Sequence, residues 1–499
     1  MTVEDKLLVF AKSFSKLGAS EVITPAEIAK MMVGEFADEL MFDAVGSKSR
    51  IVELSAETGE FVIALANRFK EIGVFVDEIR PVVCAIPAST LAYECTRKVY
   101  ELLGLDTDNI YRFTAYDLLN AVKSDNGDVD ESKIPRVSDI LKQAKKPCEI
   151  SLDDVVEEGT DKVNIEAIVG NPPYQTELKN TSDKPIYNMF MDMAYEMSDY
   201  VILITPARFL FNAGKTPKAW NEKMLNDEHL KVVYYNADSG TVFPNVDIKG
   251  GIAVTLRDEN ENSGKIGMYC PYDELRSLLR KTNDIDGFIP MSDIIENSFR
   301  LNLKTLFHDY PDMKSNIGSN GTERRIMSNA FRKLSVFHDK CGQDDVAIMG
   351  RENNSRVYKW IERKYLESNE SINFYKVILP KAIGAGKFGE QLGEVTICGK
   401  DAGYNQTFIG IGHCSTHAEA IACSKYIKTR FARALLGILK VTQDNTREKW
   451  NCVPLQDFSP SSDIDWSKSV SDIDSQLYSK YGLSGEEIDF IESHIKPMD

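Results

Sequence analysis

The sequence predicts an α/β protein whose first half is a doubly wound, mainly parallel sheet and whose second half follows a different pattern. Three observations predict this. Short apolar runs alternate with helical stretches from about residue 50 to residue 257, the signature of strands joined by crossover helices. The alternation stops at the polar turn Asp258-Glu259-Asn260-Glu261-Asn262-Ser263-Gly264, a loop composition. A chain of 499 residues is also too long for one hydrophobic core. The expected division is a sheet domain over 1–260, a helical linker over 261–320, a mixed region of short strands, glycines and basic residues over 321–460, and a helical segment over 461–499.

Residues 1–20 read as a short amphipathic helix. Thr24-Pro25 before Ala26-Glu27-Ile28-Ala29-Lys30-Met31-Met32 predicts a capped helix with proline in its first turn. Ile51-Val52-Glu53-Leu54 predicts a strand before a helix from Phe61 to Lys70, and Val82-Val83-Cys84-Ala85-Ile86 another before a helix from Leu91 to Leu103. Further strands are expected at Ile110-Tyr111-Arg112-Phe113-Thr114, in the run ending at Val169, at Tyr200-Val201-Ile202-Leu203-Ile204, at Lys231-Val232-Val233-Tyr234-Tyr235 and at Ile252-Ala253-Val254-Thr255-Leu256. Residues 120–160 are polar and read as an inserted loop.

No stretch approaches the roughly 20 apolar residues of a membrane helix, and the N-terminus lacks the basic-then-apolar order of a signal peptide, so a cytoplasmic protein is expected. The nine cysteines are scattered and form no Cys-x-x-Cys pair, which argues against a disulfide framework or a zinc ribbon. His413-Cys414 with His417 has ligand residue types but no second cluster, and no metal is expected. The net charge of −17 is unevenly spread: residues 301–450 hold 23 Lys and Arg against 16 Asp and Glu, a net of +7, leaving −24 for the rest. Positive charge is thus concentrated where a nucleic-acid reader would sit.

The most informative stretch is Asn171-Pro172-Pro173-Tyr174, which follows the apolar run Ile165-Glu166-Ala167-Ile168-Val169-Gly170. An aromatic amine is a poor nucleophile because its lone pair is delocalised into the ring. A side-chain amide oxygen and a backbone carbonyl held by two prolines can accept both N–H bonds and localise that pair. Proline fixes φ and leaves a carbonyl without a competing N–H. The tyrosine offers a face for a flat base.

With Ile51-Val52-Glu53-Leu54-Ser55-Ala56-Glu57-Thr58-Gly59-Glu60-Phe61 upstream, the chain resembles bacterial DNA adenine-N6 methyltransferases of restriction-modification type, in the gamma motif order. The resemblance implies a Rossmann-like methyltransferase sheet with a C-terminal α+β target-recognition domain over 321–460, the cofactor S-adenosylmethionine and double-stranded DNA as substrate. A separate restriction endonuclease subunit is an expected partner.

The resemblance also assigns roles. Asn171, Pro172, Pro173 and Tyr174 form the catalytic loop. Thr24, Pro25, Glu53, Gly59, Asp117 and Asn171 hold the cofactor, and Phe243 stacks on the flipped base opposite Tyr174. Two positions depart from the family pattern. Leu54 and Glu57 replace the usual proline and first glycine, and Cys84-Ala85-Ile86-Pro87-Ala88-Ser89 lacks the carboxylate that binds the ribose. Outside this frame Asp117 after a strand reads as a helix cap; within it the cofactor role is preferred, and Phe243 reads equally as a core phenylalanine. Lys425, Lys428, Arg430 and Arg433 fall at helical spacings and, with Lys381, Lys387 and the glycines of Ala382-Ile383-Gly384-Ala385-Gly386, are candidate DNA-backbone contacts. Two other readings remain: an RNA or protein-amide methyltransferase, and a catalytically degenerate DNA-binding specificity subunit.

Overall fold

The computed structural model describes residues 22–124, 129–156, 159, 161–175, 184–244, 248–283, 285 and 287–499. The helix expected over 1–20 lies outside them. The chain forms two compact units, Met1–Tyr269 and Cys270–Asp499.

The first unit opens with helices α1 (Ala26–Gly34) and α2 (Asp38–Ser47), then alternates β1 (Arg50–Ala56), α3 (Glu60–Glu71), β2 (Val83–Pro87) and α4 (Thr90–Leu103). Helices α5 (Ala115–Ala121) and α6 (Ile134–Leu141) precede β3 (Ile165–Gly170), α7 (Tyr187–Met197) and β4 (Tyr200–Pro206). Helix α8 (Lys218–Asn226) and strands β5 (Leu230–Asn236) and β6 (Ile252–Asp258) complete the unit. The sheet order is β2-β1-β3-β4-β6-β5. Strands β2, β1, β3 and β4 are parallel, while β6 runs antiparallel between β4 and β5. Every residue of β1 and β2 is buried, as strands covered on both faces must be.

The strand expected at Ile110 to Thr114 is reduced to one bridge between Ile110 and Ala85. Thr114 ends it. Its hydroxyl accepts from the Asp117 amide at 3.2 Å while the Asp117 carboxylate accepts from the Thr114 amide at 2.9 Å. This capping box starts α5 before a strand can lengthen. Nor is the described part of 120–160 a plain loop. Helix α6 buries Ile134, Val137, Ile140 and Leu141, and the buried Arg50 guanidinium donates to the carbonyls of Leu141, Gln143 at 2.8 Å and Lys145 at 2.7 Å. One side chain at the start of β1 thereby satisfies the end of the insertion.

The second unit contains α9 (Asp273–Asn283), β7 (Ile295–Glu296), the hairpin β8 (Asp345–Glu352) and β9 (Ser355–Glu362), β10 (Tyr375–Pro380), β11 (Thr396–Cys398), β12 (Ala402–Tyr404) and β13 (Phe408–Cys414). It ends with helices α10 (His417–Lys428), α11 (Arg430–Leu439), α12 (Val470–Lys480) and α13 (Gly485–His494). One sheet runs β11-β10-β13-β7 and another β12-β8-β9. The expected segments 261–320, 321–460 and 461–499 do not pack as separate bodies. Leu278 of α9, Val377 of β10, Leu435 of α11 and Leu477 of α12 share one core, because no one of these elements buries its apolar face alone.

Among the described residues no helix is long and apolar enough to cross a membrane.

Candidate functional site

The site is built where the carboxyl ends of β1 and β3 lie side by side. Gly170 at the end of β3 pairs with Leu54 of β1, and a Cβ added at Gly170 would overlap the Leu54 carbonyl oxygen. This close approach requires glycine. It brings the turn Ser55 to Gly59 next to the loop that begins at Asn171, at the strand ends where open α/β sheets bind ligands.

The β1 turn is strained and acidic. Ser55 adopts φ +66, uncommon for a side-chain-bearing residue, at the point where the β1–β2 register shifts. Gly59 follows at φ +80 as the N-cap of α3, a conformation glycine adopts without a Cβ penalty. Three carboxylates are buried here: Glu53, Glu57 and Glu60 are 1%, 6% and 6% exposed. Glu53 accepts from the Val62 amide at 3.1 Å. Burial holds its carboxyl well above the usual range, and the Glu60 charge raises it further. Glu60 folds back to accept from the Thr58 hydroxyl and, at 3.3 Å, from the Thr58 amide.

Burial also pushes the Glu60 carboxyl from 4.5 up to about 7. Below the unfolded value both states are protonated and nothing is lost. As pH rises through that window the unfolded chain ionises first, so stability falls by roughly 3 kcal/mol, and the loss is complete above the folded value. Glu60→Gln is therefore expected to raise the melting temperature more at pH 8 than at pH 5. Equal shifts at both pH values would exclude this account.

Asn171 is the centre of the second half of the site. It is 6% exposed, and its amide nitrogen donates to the Val22 carbonyl at 2.7 Å and to the Thr24 hydroxyl at 3.1 Å. A carbonyl can only accept, so this contact fixes which end of the amide is nitrogen. The Asn171 Oδ1 atom is left buried with no hydrogen-bond partner, an unusual state for a polar atom inside a protein. Pro172, Pro173 and Tyr174 are also buried, and the loop exit is pinned by the Ile186 amide on the Tyr174 carbonyl at 3.1 Å. Burial raises the Tyr174 phenol, and the Glu57 charge adds to the rise, which places the acidic turn beside the Asn171 to Tyr174 loop. The Tyr174 hydroxyl lies beside the Asn171 side chain, which works against that rise.

Residues 88–243 match the family model of the Eco57I restriction-modification methylase, and Asn171 to Tyr174 fall inside the match. The matched stretch is similar to a restriction-modification methylase domain. An uncharacterized adenine-specific methylase from Mycoplasma pneumoniae (strain ATCC 29342 / M129 / Subtype 1) is 29% identical over 103 residues, covering 20% of this chain. The matched part spans about a quarter of that relative, 24% of its length. Two solved structures are similar over 99% of this chain. A nuclease-deletion mutant of the type ISP restriction-modification enzyme LlaGI, in complex with a DNA substrate mimic, gives TM-score 0.47 at 11% identity and 48% of that chain. A DrdV–DNA complex gives TM-score 0.43 at 12% identity and 59% of that chain.

The structure distributes the remaining expected residues unevenly around the matched stretch. Thr24 touches Asn171, and the Pro25 carbonyl accepts from Ile28 at 2.9 Å to start α1. Asp117 is exposed and serves as the helix-capping partner of Thr114. Phe243 corrects the expectation of a free stacking face. It is 1% exposed in the same cluster as Met32, Ile252 and Val254, because its amide bonds the Ser239 carbonyl at 2.7 Å and the tight turn Ser239–Thr241 rolls the ring inward.

The cationic cluster at residues 425–433 is corrected as well. Thr429, with φ −58 and ψ 149, splits it between α10 and α11. Lys425 donates to the carbonyls of Trp466 and Lys468 at 2.8 and 2.7 Å, and Lys428 donates to an Asp499 oxygen at 2.6 Å. Arg430 pairs with Glu492 and donates to Ile495. Arg433 is 3% exposed and donates to the carbonyls of Lys428 and Lys496. These four hold the C-terminal segment rather than face phosphates.

Glu57, Glu60 and the Val22 carbonyl escaped the sequence reading. Three acids within eight residues of a strand end were a visible signal. The carbonyl had none.

Proposed function

We propose that the chain is a site-specific DNA methyltransferase that transfers a methyl group from S-adenosylmethionine to adenine N6 in duplex DNA, as a cytoplasmic member of a restriction-modification system. The observation that carries this reading is the buried, partnerless Asn171 Oδ1, aimed by its own amide group's bonds to Val22 and Thr24.

The residues present fit the cofactor at its cationic end. Glu53 and Glu60 are buried carboxyl groups without a lysine or arginine salt bridge among the described residues, held toward their neutral form by burial, and a ligand carrying ammonium and sulfonium groups would favour their ionisation. Gly59 lets the chain turn tightly above them. At the end of β2 no carboxylate is available for the ribose: Ser89, the polar residue there, spends its hydroxyl capping α4, accepting from Ala92 at 3.2 Å. When bound, the cofactor supplies an electrophilic methyl group on sulfur.

The chain supplies position and charge. Asn171 Oδ1 accepts one N–H of the target amine and the Pro172 carbonyl the other, which localises the nitrogen lone pair toward the methyl carbon. Tyr174 supports the base ring. The methyl carbon that this lone pair takes up would come from a cofactor held at Glu53 and Gly59, and the proton lost from N6 would pass to solvent water. Rate enhancement in such a site comes from alignment and preorganised acceptors. The test is incubation of the protein with labelled S-adenosylmethionine and duplex DNA, RNA or protein, followed by analysis for N6-methyladenine. Label found only in protein, or in nothing, overturns the reading.

A further inference from the structure

In the second unit two surface loops are locked together. The loop after β10 and the loop after α11 are joined by the bridge Ala382–Asp444, by the Ile383 amide on the Gln443 carbonyl at 2.8 Å and by the Asn445 amide on the Lys381 carbonyl at 2.7 Å. Beneath them lies a satisfied polar network. The Glu390 carboxylate accepts from the Ala385 and Gly386 amides at 2.9 and 3.1 Å and from the buried Lys440 at 2.5 Å. Asn445, fully buried, accepts from the Trp450 indole at 2.9 Å. The Ala385 and Gly386 amides are thereby occupied by an internal carboxylate rather than turned to a phosphate.

The outer surface of the same loops is the reverse. The Lys381 amide bonds the Thr407 carbonyl at 2.8 Å, which brings the β12–β13 connection alongside, and Arg351 at the end of β8 lies over the Phe408 ring at 5.8 Å. Among the described residues the cationic heads of Lys381, Lys387 and Arg351 bond neither a carboxylate nor a carbonyl, in contrast to the four cations of α10 and α11, each of which bonds one or the other. Gln443 and Asp444 are exposed on the crest. Buried charges neutralised in pairs beneath rigid loops, with unpaired cations and free amide and carboxylate groups above, is the arrangement of a scaffold carrying a recognition surface.

Resting on the methyltransferase reading, we propose that this paired-loop crest is where the second unit grips duplex DNA. Lys381, Lys387 and Arg351 take backbone phosphates, and Gln443 and Asp444 meet base edges. A glutamine amide matches adenine N6 and N7, and a carboxylate accepts from cytosine N4. The glutamate inside the loop adds no repulsion, because Lys440 neutralises it.

The experiment uses the full chain, a duplex library for methylation mapping and binding titrations over a range of salt. Lys381→Gln, Lys387→Gln and Arg351→Gln should each weaken binding to all sequences alike and flatten the slope of log Kd against log salt by about 1. Gln443→Ala should lose roughly 5- to 100-fold discrimination at one base pair, while Lys428→Gln leaves the slope unchanged. Unaltered slopes in the crest variants, with DNA methylated normally, overturn the crest and leave the methyltransferase reading standing. Altered slopes without methyl transfer to DNA by the unmodified chain uphold the crest as a DNA surface and sink the methyltransferase reading.

Discussion

Asn171→Ala should lower methyl transfer to DNA by about 10²- to 10³-fold, roughly 3 to 4 kcal/mol of transition-state stabilisation, while the affinity for DNA stays within a factor of a few. The effect is large because Oδ1 has no partner in the folded chain, so its hydrogen-bonding capacity is reserved for the substrate. Alanine removes the acceptor and also the amide that ties the loop to Val22 and Thr24. Asn171→Asp separates the two effects. It retains an acceptor but cannot donate to the Val22 carbonyl, so intermediate activity points to the lost tether and full loss to the acceptor's exact charge state. Single-turnover transfer with labelled cofactor, alongside a DNA-binding titration, provides the readout, and normal turnover in Asn171→Ala refutes the role.

Gly170→Ala should destabilise the first unit by about 3 kcal/mol or more and reduce transfer further than its loss of stability explains. The added methyl would overlap the Leu54 carbonyl oxygen and sit 3.1 Å from the carbonyl carbon. The neighbour is backbone, so it cannot rotate aside, and β1 and β3 must part at the end that positions both halves of the site. Overpacking against flexible side chains costs about 1 to 3 kcal/mol, and a backbone clash in a strand pair belongs at or above that range. A displacement of about 1 Å in the catalytic loop is enough to cost on the order of 10²-fold in rate. Thermal melts and transfer rates below the transition check both parts, and a variant that melts like the parent would show that the strands relax freely.

Much of the first unit was legible because its strands are continuous apolar runs. Ile51 to Leu54 and Tyr200 to Ile204 lie within observed strands, and Val82 to Ile86 overlaps β2 in all but its first residue. The strand at Ile110 failed because Thr114 and Asp117, three residues apart, form a cap whose local hydrogen bonds outweigh β-propensity. The loop from Asn171 to Tyr174 stood out in the sequence because an asparagine and two prolines in a row are a local chemical pattern. What held Asn171 did not, because Val22 lies 149 residues away in the chain. Phe243 and Arg433 show the same limit from the other side. An aromatic after a turn and an arginine on a helix look available in sequence, and only tertiary packing reveals that one ring enters the core and one guanidinium is consumed by carbonyls.

The tether on Asn171 also sets which substitutions the N-terminal segment tolerates. At position 22 the contribution is a main-chain carbonyl, which all twenty amino acids possess, so a substitution there keeps the acceptor, and what constrains the side chain is its packing against the core of the first unit. At position 24 the contribution is a hydroxyl, so serine is the conservative replacement and valine, similar in shape, is the disruptive one. A binding pocket thus draws two contacts from neighbouring residues, one invisible to sequence comparison and one plainly written in it.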